Sequence, residues 1–347
     1  MVNLGIIGLG KWAGVLARAA SKSEQIKILQ GFSRSKITQE QFCAEHGVLG
    51  VHDATEILEN PSIQGVILTV PNELHFAYAE MCAKAGKHVY IEKPIANTLK
   101  DAKLLKQVCE QHGVRVFIGH CAKLLAGVQR IKQAIDADEL GDICIIEGTF
   151  TNERALSLTP KDWRWYSDKA PGGPLSQIAI HQFDVLRFLG GKIDKVSAVS
   201  SKRSPVGAEV EDQWLVNVQF ESCALGNIIS SWTAAGLFEV RVIGTKATML
   251  YQIDQTKWGI ANRLHEGATL AFQRVGESAT SAIRLSVLES DMFLDELELF
   301  SAMVCGAEQD NFSAAYGLEI LGLVESARLS DQQSGQRINF PQFLRDC

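Results

Sequence analysis

Four short stretches of this 347-residue sequence carry residue types whose spacing suits chemistry. Gly8-Leu9-Gly10-Lys11-Trp12-Ala13 fits G-x-G-x-x-G/A, a turn built to hold a pyrophosphate. Gly8 permits the tight turn, Gly10 lets the backbone approach phosphates, Ala13 is small enough for a helix to pack on a strand, and the helix start offers free N–H groups. Thr69-Val70-Pro71-Asn72, followed by His75, and Glu92-Lys93-Pro94 each follow an apolar run. Lys93 has the charge to orient a hydroxyl and steady a developing alkoxide, and Pro94 fixes the backbone that aims it. Gly172-Gly173-Pro174 leads into Gln177, His181 and Asp184, whose i, i+4, i+7 spacing places them on one helical face. His181 has the pKa to take a proton from an alcohol near neutral pH. Plainer readings stay open for each: a simple βα turn, Asn72 as a helix cap, His75 as a first-turn residue, a surface Glu–Lys pair, a structural histidine.

The elements that must position these residues can be read from the same pattern. Val2–Ile7 is an apolar strand that runs into the glycine turn, and Gly14–Ala20 continues as helix. Strands over 26–32, 65–70, 88–91 and 114–118 alternate with helices over 37–46, 54–59, 74–85 and 98–112. That alternation predicts a doubly wound parallel sheet, in which ligands bind at the carboxyl ends of the strands. Beyond residue 120 comes one helix, 124–138, and then longer alternating strands over 143–150, 194–200, 212–220, 225–232, 239–243 and 248–252. With few helices between them, they predict a large, mostly antiparallel sheet. Two more helices are expected, over 178–189 and over 293–329 with a break near Gly306. The expectation is a dinucleotide-binding domain over 1–121 and an α+β domain over 122–347.

The second strand ends in Ser33-Arg34-Ser35-Lys36, where an NAD-binding fold usually places an acidic residue for the ribose 2′-OH. A hydroxyl and a guanidinium suit a 2′-phosphate, which favours NADP. The alternative is NAD, with Arg34 stacked on the adenine. The irregular stretch from Asn152 to Pro174 carries Trp163, Trp165 and Tyr166, and a loop of that length in a compact domain is usually functional.

Composition bounds the rest. Hydrophobic residues make up 46% and charged residues 21%, as in an ordinary globular enzyme. A net charge of -6 without a basic run argues against nucleic acid or an anionic membrane as partner. The eight cysteines (43, 82, 109, 121, 144, 223, 305, 347) form no metal-binding spacing and are expected to be reduced thiols. A first strand at residue 2 and the lack of a long apolar run lead to the expectation of a cytoplasmic protein that binds no metal.

In order and spacing, the glycine turn, T-x-P-N-x-x-H, Glu-Lys-Pro and the G-G-x-x-x-x-x-x-x-H-x-x-D helix resemble the glucose–fructose oxidoreductase/inositol dehydrogenase (Gfo/Idh/MocA) family. The resemblance runs along nearly the whole chain and is strongest over 1–190. It implies a Rossmann domain, a C-terminal domain with an open antiparallel sheet, and NAD(P)-dependent oxidation or reduction of sugars, cyclitols or related diols. It also implies homodimers or homotetramers that pack through the exposed sheet face. By similarity Lys93 and His181 take the catalytic positions, while Glu92 and Pro94 line the nicotinamide together with Thr69–Asn72 and His120. Many members carry Asp where this chain has Gln177, which cannot ionise and so can only orient His181 or bond to substrate. Gln177 after Gly-Gly-Pro is similar to a branch that includes cis-dihydrodiol dehydrogenases. Lys123 stands where relatives often have Arg. Together with Arg154, Arg164, Trp163, Trp165 and Asp184 it is a candidate substrate contact, though Lys123, Arg154 and Arg164 equally suit solvated surface charges. The rival reading is a non-catalytic NADP-binding regulator of the same fold.

Overall fold

The computed structural model describes residues 1–260 and 263–346. Cys347, one of the expected thiols, lies outside the described residues. The first elements are β1 (Val2–Ile7), α1 (Lys11–Ala20), β2 (Ile26–Phe32), α2 (Lys36–His46), β3 (Leu49–Gly50), α3 (Ala54–Glu59), β4 (Gly65–Leu68), α4 (His75–Lys84), β5 (His88–Glu92), α5 (Leu99–Gln111) and β6 (Val116–Gly119). Then follow α6 (Ala126–Asp136), β7 (Ile143–Thr151), α7 (Ile180–Gly190), β8 (Ile193–Ser201), β9 (Gln213–Phe220), β10 (Leu225–Ser231), β11 (Leu237–Gly244) and β12 (Ala247–Ile253). The last are β13 (Thr269–Arg274), β14 (Ile283–Leu285), α8 (Met292–Val304), α9 (Ala314–Gln332), β15 (Ile338–Asn339) and α10 (Phe340–Asp346).

The chain forms two compact units, 1–121 with 291–319 and 122–290 with 320–347. The sequence suggested a single cut after residue 121. The return of 291–319 to the first unit has a packing cause. Phe300 of α8 sits 5.8 Å from the Tyr90 ring and 5.9 Å from Phe117, and Phe312 stacks on Phe117 at 4.6 Å. These aromatics complete a core that the strands and helices of 1–121 leave open on one side.

In the first unit six strands run in the order β3-β2-β1-β4-β5-β6, all neighbours parallel. Every residue of β4 and β6 is buried, as expected for strands covered on both faces. The carboxyl ends of β1, β4 and β5 bring the glycine turn, Thr69–Asn72 and Glu92–Pro94 to one edge.

In the second unit nine strands run in the order β14-β13-β12-β11-β7-β10-β9-β8-β15. β7 and β10 pair in parallel at the centre and the remaining pairs are antiparallel. Helix α7 lies against β7, where Gln182 Nε2 donates to the carbonyls of Thr149 (2.9 Å) and Glu239 (3.3 Å). On β8, β9 and β10 the register aligns Val199, Leu215 and Ile229, which stay exposed. Strands β13 to β15 were not expected. They are short or follow polar sequence, and their pairing is set by β12 and β8 rather than by a pattern of their own. Among the described residues no helix is long and apolar enough to cross a membrane, and no disulfide joins the cysteines.

Candidate active site

The glycine turn is built as its spacing suggests. Gly8 has φ +91°, and a Cβ there would lie 2.8 Å from the Val70 nitrogen, so only glycine lets the end of β1 pass the end of β4 this closely. Thr69 Oγ1 donates to the Gly8 carbonyl and pins the two ends together. At Gly10 a Cβ would meet nothing within 4 Å. Gly10 is also the N-cap of α1 and supplies no side-chain acceptor, so the first N–H groups of the helix remain available. An open space beside uncapped helix donors is what a pyrophosphate needs, and the turn fits the group the motif implies. Asn72, at the end of β4, adds a buried amide Nδ2 with no partner among the described residues. Arg34 is exposed beyond β2 and makes no hydrogen bond or ion pair among the described residues. Ser33 is held by its N–H, which donates to Gln39 Oε1 at 2.9 Å.

Two residues expected to touch the nucleotide do not line any surface. His75 is 0% exposed, and its ring nitrogens face the carbonyls of Pro94 (3.0 Å) and Val70 (3.1 Å). Burial pushes its pKa down, and because a neutral ring has one N–H, it donates to one of the two carbonyls and only packs against the other as it bridges the 69–71 and 92–94 turns. His120 is likewise 0% exposed, edge-on to Tyr316 at 6.1 Å. Both histidines follow strand ends, where sequence cannot separate a ligand-facing ring from one turned inward.

Glu92 and Lys93 are half-buried, and the Lys93–Pro94 peptide is cis. Burial pushes the Glu92 carboxyl above its ordinary value, with the Lys93 ammonium and the Tyr90 hydroxyl (3.3 Å) pulling the other way. Behind them Tyr90 Oη donates to Glu296 Oε1 of α8 at 2.7 Å. Sequence reasoning missed Glu296, because it stands with Asp295 and Glu298 in one acidic stretch of the helix, and such a stretch reads as a solvent-facing side.

In the second unit the helix after Gly172-Gly173-Pro174 begins with a π-turn, Leu175–Ala179, before α7. The wide turn breaks the α-spacing between Gln177 and His181 on which the single-face argument rested, while His181 and Asp184 both lie on α7. His181 sits in an aromatic box, 5.2 Å from Trp258 and 5.8 Å from Phe150. Trp258 was not singled out in the sequence, where it belongs to no periodic apolar stretch. Gln177 is nearly buried, and its Nε2 lies 3.4 Å from Ser176 Oγ.

Lys123 and Asp184 are not substrate contacts in this arrangement. Their side chains are 1% and 0% exposed and pair at 2.6 Å. The reading of Lys123 as a solvated surface charge fails for the same reason. Arg154 is exposed, with its guanidinium 5.8 Å from the Trp232 ring, whereas Arg164 lies 4.1 Å over Trp163. Trp163 and Trp165 are half-buried in the 152–174 segment. Among the described residues no cluster of His, Cys, Asp and Glu is placed to hold a metal.

Comparison with known proteins identifies both domains. Residues 2–120 match the model of an oxidoreductase family with an NAD-binding Rossmann fold, and residues 128–250 match the GFO/IDH/MocA C-terminal domain. A crystal structure from Desulfitobacterium hafniense, of a protein assigned only provisionally as an NADPH-dependent oxidoreductase, superposes with a TM-score of 0.93 at 31% identity over 99% of both chains. The chain is 25% identical, over 66% of its length and 58% of the relative's, to 1-carboxy-3-chloro-3,4-dihydroxycyclohexa-1,5-diene dehydrogenase of Comamonas testosteroni. It is 24% identical to myo-inositol 2-dehydrogenase of Thermotoga maritima over 95% and 96% of the two chains. The chain spans between 58% and 65% of the length of several curated relatives that it matches. The glycine turn, the Glu-Lys-Pro edge and the Gly-Gly-Pro-to-His181 helix thus stand on the two domains of a known architecture, and the chain belongs to the Gfo/Idh/MocA family of oxidoreductases.

Proposed function

We propose that this protein is an NADP(H)-dependent oxidoreductase acting on a carbinol or carbonyl carbon of a sugar, cyclitol, polyol or dihydrodiol. The observation that carries the reading is the Gly8–Ala13 turn, with open space at Gly10 beside uncapped helix donors. Residues Gly8–Ala13 would hold the pyrophosphate, Ser33 and Arg34 the 2′-phosphate, and Asn72, Glu92 and Pro94 the nicotinamide end. When bound, the nicotinamide supplies hydride acceptor and donor chemistry. Lys93 orients the substrate hydroxyl and lowers the energy of the alkoxide, and His181 takes or returns the hydroxyl proton. Gln177, unable to ionise, orients His181 or bonds to substrate. Two relatives support the substrate class, since their names specify a dihydroxylated cyclic diene and an inositol.

The chemical claim is tested with NADP⁺ and a panel of polyols, aldoses, cyclitols and aromatic dihydrodiols. Wild-type protein should reduce NADP⁺ with at least one member, and Lys93→Ala should lose turnover while keeping nucleotide affinity. Unaltered turnover in Lys93→Ala would remove the assigned role. We also infer a homo-oligomer assembled through the sheet face that carries Val199, Leu215 and Ile229. Charged substitution at Leu215 should reduce the solution mass measured by light scattering.

A further inference from the structure

Two carboxyls reach for one hydroxyl behind the Glu-Lys-Pro edge. Tyr90 Oη lies 2.7 Å from Glu296 Oε1 and 3.3 Å from Glu92 Oε1. Tyr90 and Glu296 are closed to solvent, and Glu92 is half-buried at the end of β5. All three belong to one compact unit, Tyr90 and Glu92 on β5 and Glu296 on α8.

The hydroxyl is placed by what surrounds it. The Tyr90 ring stacks on Phe117 at 5.6 Å and meets Phe300 edge-on at 5.8 Å. Gly119 stands opposite Glu92 in the register of β5 and β6, and a Cβ at 119 would collide with Tyr90 Oη. Glycine there opens the space in which the hydroxyl sits between the two carboxyls.

A phenol carries one hydrogen and donates to one acceptor at a time. Burial, with the two carboxyls adding to it, raises the Tyr90 pKa well above its ordinary value, so the phenol keeps its proton at neutral pH. If both carboxyls were ionised, one of them would face the Tyr90 oxygen lone pair to lone pair, away from water. A further proton on Glu92 or on Glu296 removes that clash. The protonated carboxyl donates to Tyr90 Oη, and Tyr90 donates to the other carboxylate. Burial raises the Glu92 pKa in the sense this needs. Lys93, the next residue, favours the charged form of Glu92, and the Cys121 thiol faces Tyr90 from just beyond β6. His75, which braces the same edge beside Pro94, is kept neutral by burial.

We propose that Glu92, Tyr90 and Glu296 share one carboxyl proton, and that Glu296 is a positioning residue that takes it over through Tyr90 whenever Glu92 carries charge. The transfer balances. The O–H bond of Glu92 breaks as Tyr90 Oη gains that proton, and the phenol's own proton passes to Glu296 Oε1, with none exchanged with solvent. The inference rests on the proposed function above, which puts Glu92 at the nicotinamide end. An ionised Glu92 suits the positively charged oxidised ring, and a neutral Glu92 suits the uncharged reduced ring. The shared proton lets one side chain serve both forms of the cofactor.

The test is carboxyl-carbon NMR of protein labelled at glutamate, at neutral pH, free and with NADP⁺ or NADPH. The two signals are assigned by their loss in Glu92→Gln and Glu296→Gln. In the free protein Glu92 and Glu296 together should carry one proton. NADP⁺ should move Glu92 toward its ionised position and Glu296 toward its protonated one by matching amounts, and NADPH should not. Tyr90→Phe should lose this reciprocal response. Glu296→Gln, whose amide can donate to Tyr90 Oη, should leave Glu92 ionised and raise the affinity for NADP⁺ relative to NADPH several-fold. Both carboxyls ionised or both protonated in the free protein, a Glu92 shift that Glu296 does not mirror, or a reciprocal response that survives in Tyr90→Phe overturns the proposal. Failure of the wild-type protein to bind either nucleotide instead refutes the dinucleotide reading, while the signals of the free protein still decide whether the proton is shared.

Discussion

Tyr90 and Glu296, 206 residues apart, meet with Tyr90 Oη 2.7 Å from Glu296 Oε1, and both side chains are closed to solvent. The contact joins the last turn of chemistry on β5 to helix α8, so the segment that returns late in the chain supports the edge bearing Glu92 and Lys93. Replacing Tyr90 by Phe leaves a buried carboxyl without this donor, and such a loss costs about 1–3 kcal/mol. Urea denaturation should show that drop for Tyr90→Phe, together with a further rise in the Glu92 pKa, since the Tyr90 hydroxyl now helps to hold it down. An unchanged midpoint would show that the contact contributes nothing.

The Lys123–Asp184 pair ties the start of the second unit to α7, one turn beyond His181. Because both groups are buried, removing one takes the counter-charge at 2.6 Å from the other. Lys123→Ala should lose about 3–5 kcal/mol of stability, whereas Lys123→Met with Asp184→Asn should lose much less. Chemical denaturation of the three proteins checks this, and equal losses in the single and double variants would argue against a paired charge.

Gly8 and Gly10 look equivalent in the motif but not in the structure. Gly8→Ala forces a Cβ to 2.8 Å from backbone at φ +91°, so it should destabilise the fold by roughly 1–3 kcal/mol. Gly10→Ala meets no protein atom and should melt like wild type, yet lose tenfold or more in nucleotide affinity because the methyl fills the ligand's space. Thermal melts beside fluorescence titrations separate the two, and normal affinity in Gly10→Ala would remove the turn from the binding site.

Asp295 gives the fold a pH dependence of known sign. Burial, with Asp291 and Glu298 adding repulsion, raises its carboxyl from 3.8 to about 6. The folded state therefore binds the proton more tightly. The contribution is fully present below the ordinary value and is lost as pH climbs through the raised one. Asp295→Asn should match wild type near pH 4 and exceed it at pH 7 by on the order of 1 kcal/mol, less than full linkage because the carboxyl is partly solvated. A variant that is less stable than wild type at pH 7 contradicts this.

Much of the architecture is legible in the sequence where one physical pattern dominates. The Val2–Ile7 strand, the glycine turn and α1 form a continuous local signal, and the alternation of strands and helices over 1–120 specifies the parallel sheet. What is not legible depends on distant partners. Glu296 becomes a buried hydrogen-bond acceptor only because Tyr90 lies above it, and Lys123 is removed from the surface by Asp184. His75 and His120 share the sequence context of ligand contacts, but their rings turn into the core. The π-turn at 175–179 leaves no mark on the apolar pattern, and it is the one local feature that changes how Gln177 stands toward His181.

The central claim, a nucleotide site that selects NADP through Arg34, is tested most directly by fluorescence titration of NADPH and NADH into the wild-type protein and Arg34→Ala. The account predicts that NADPH binds much more tightly than NADH and that the preference disappears in the variant. Equal affinities in the wild type, or no binding of either nucleotide, would contradict it.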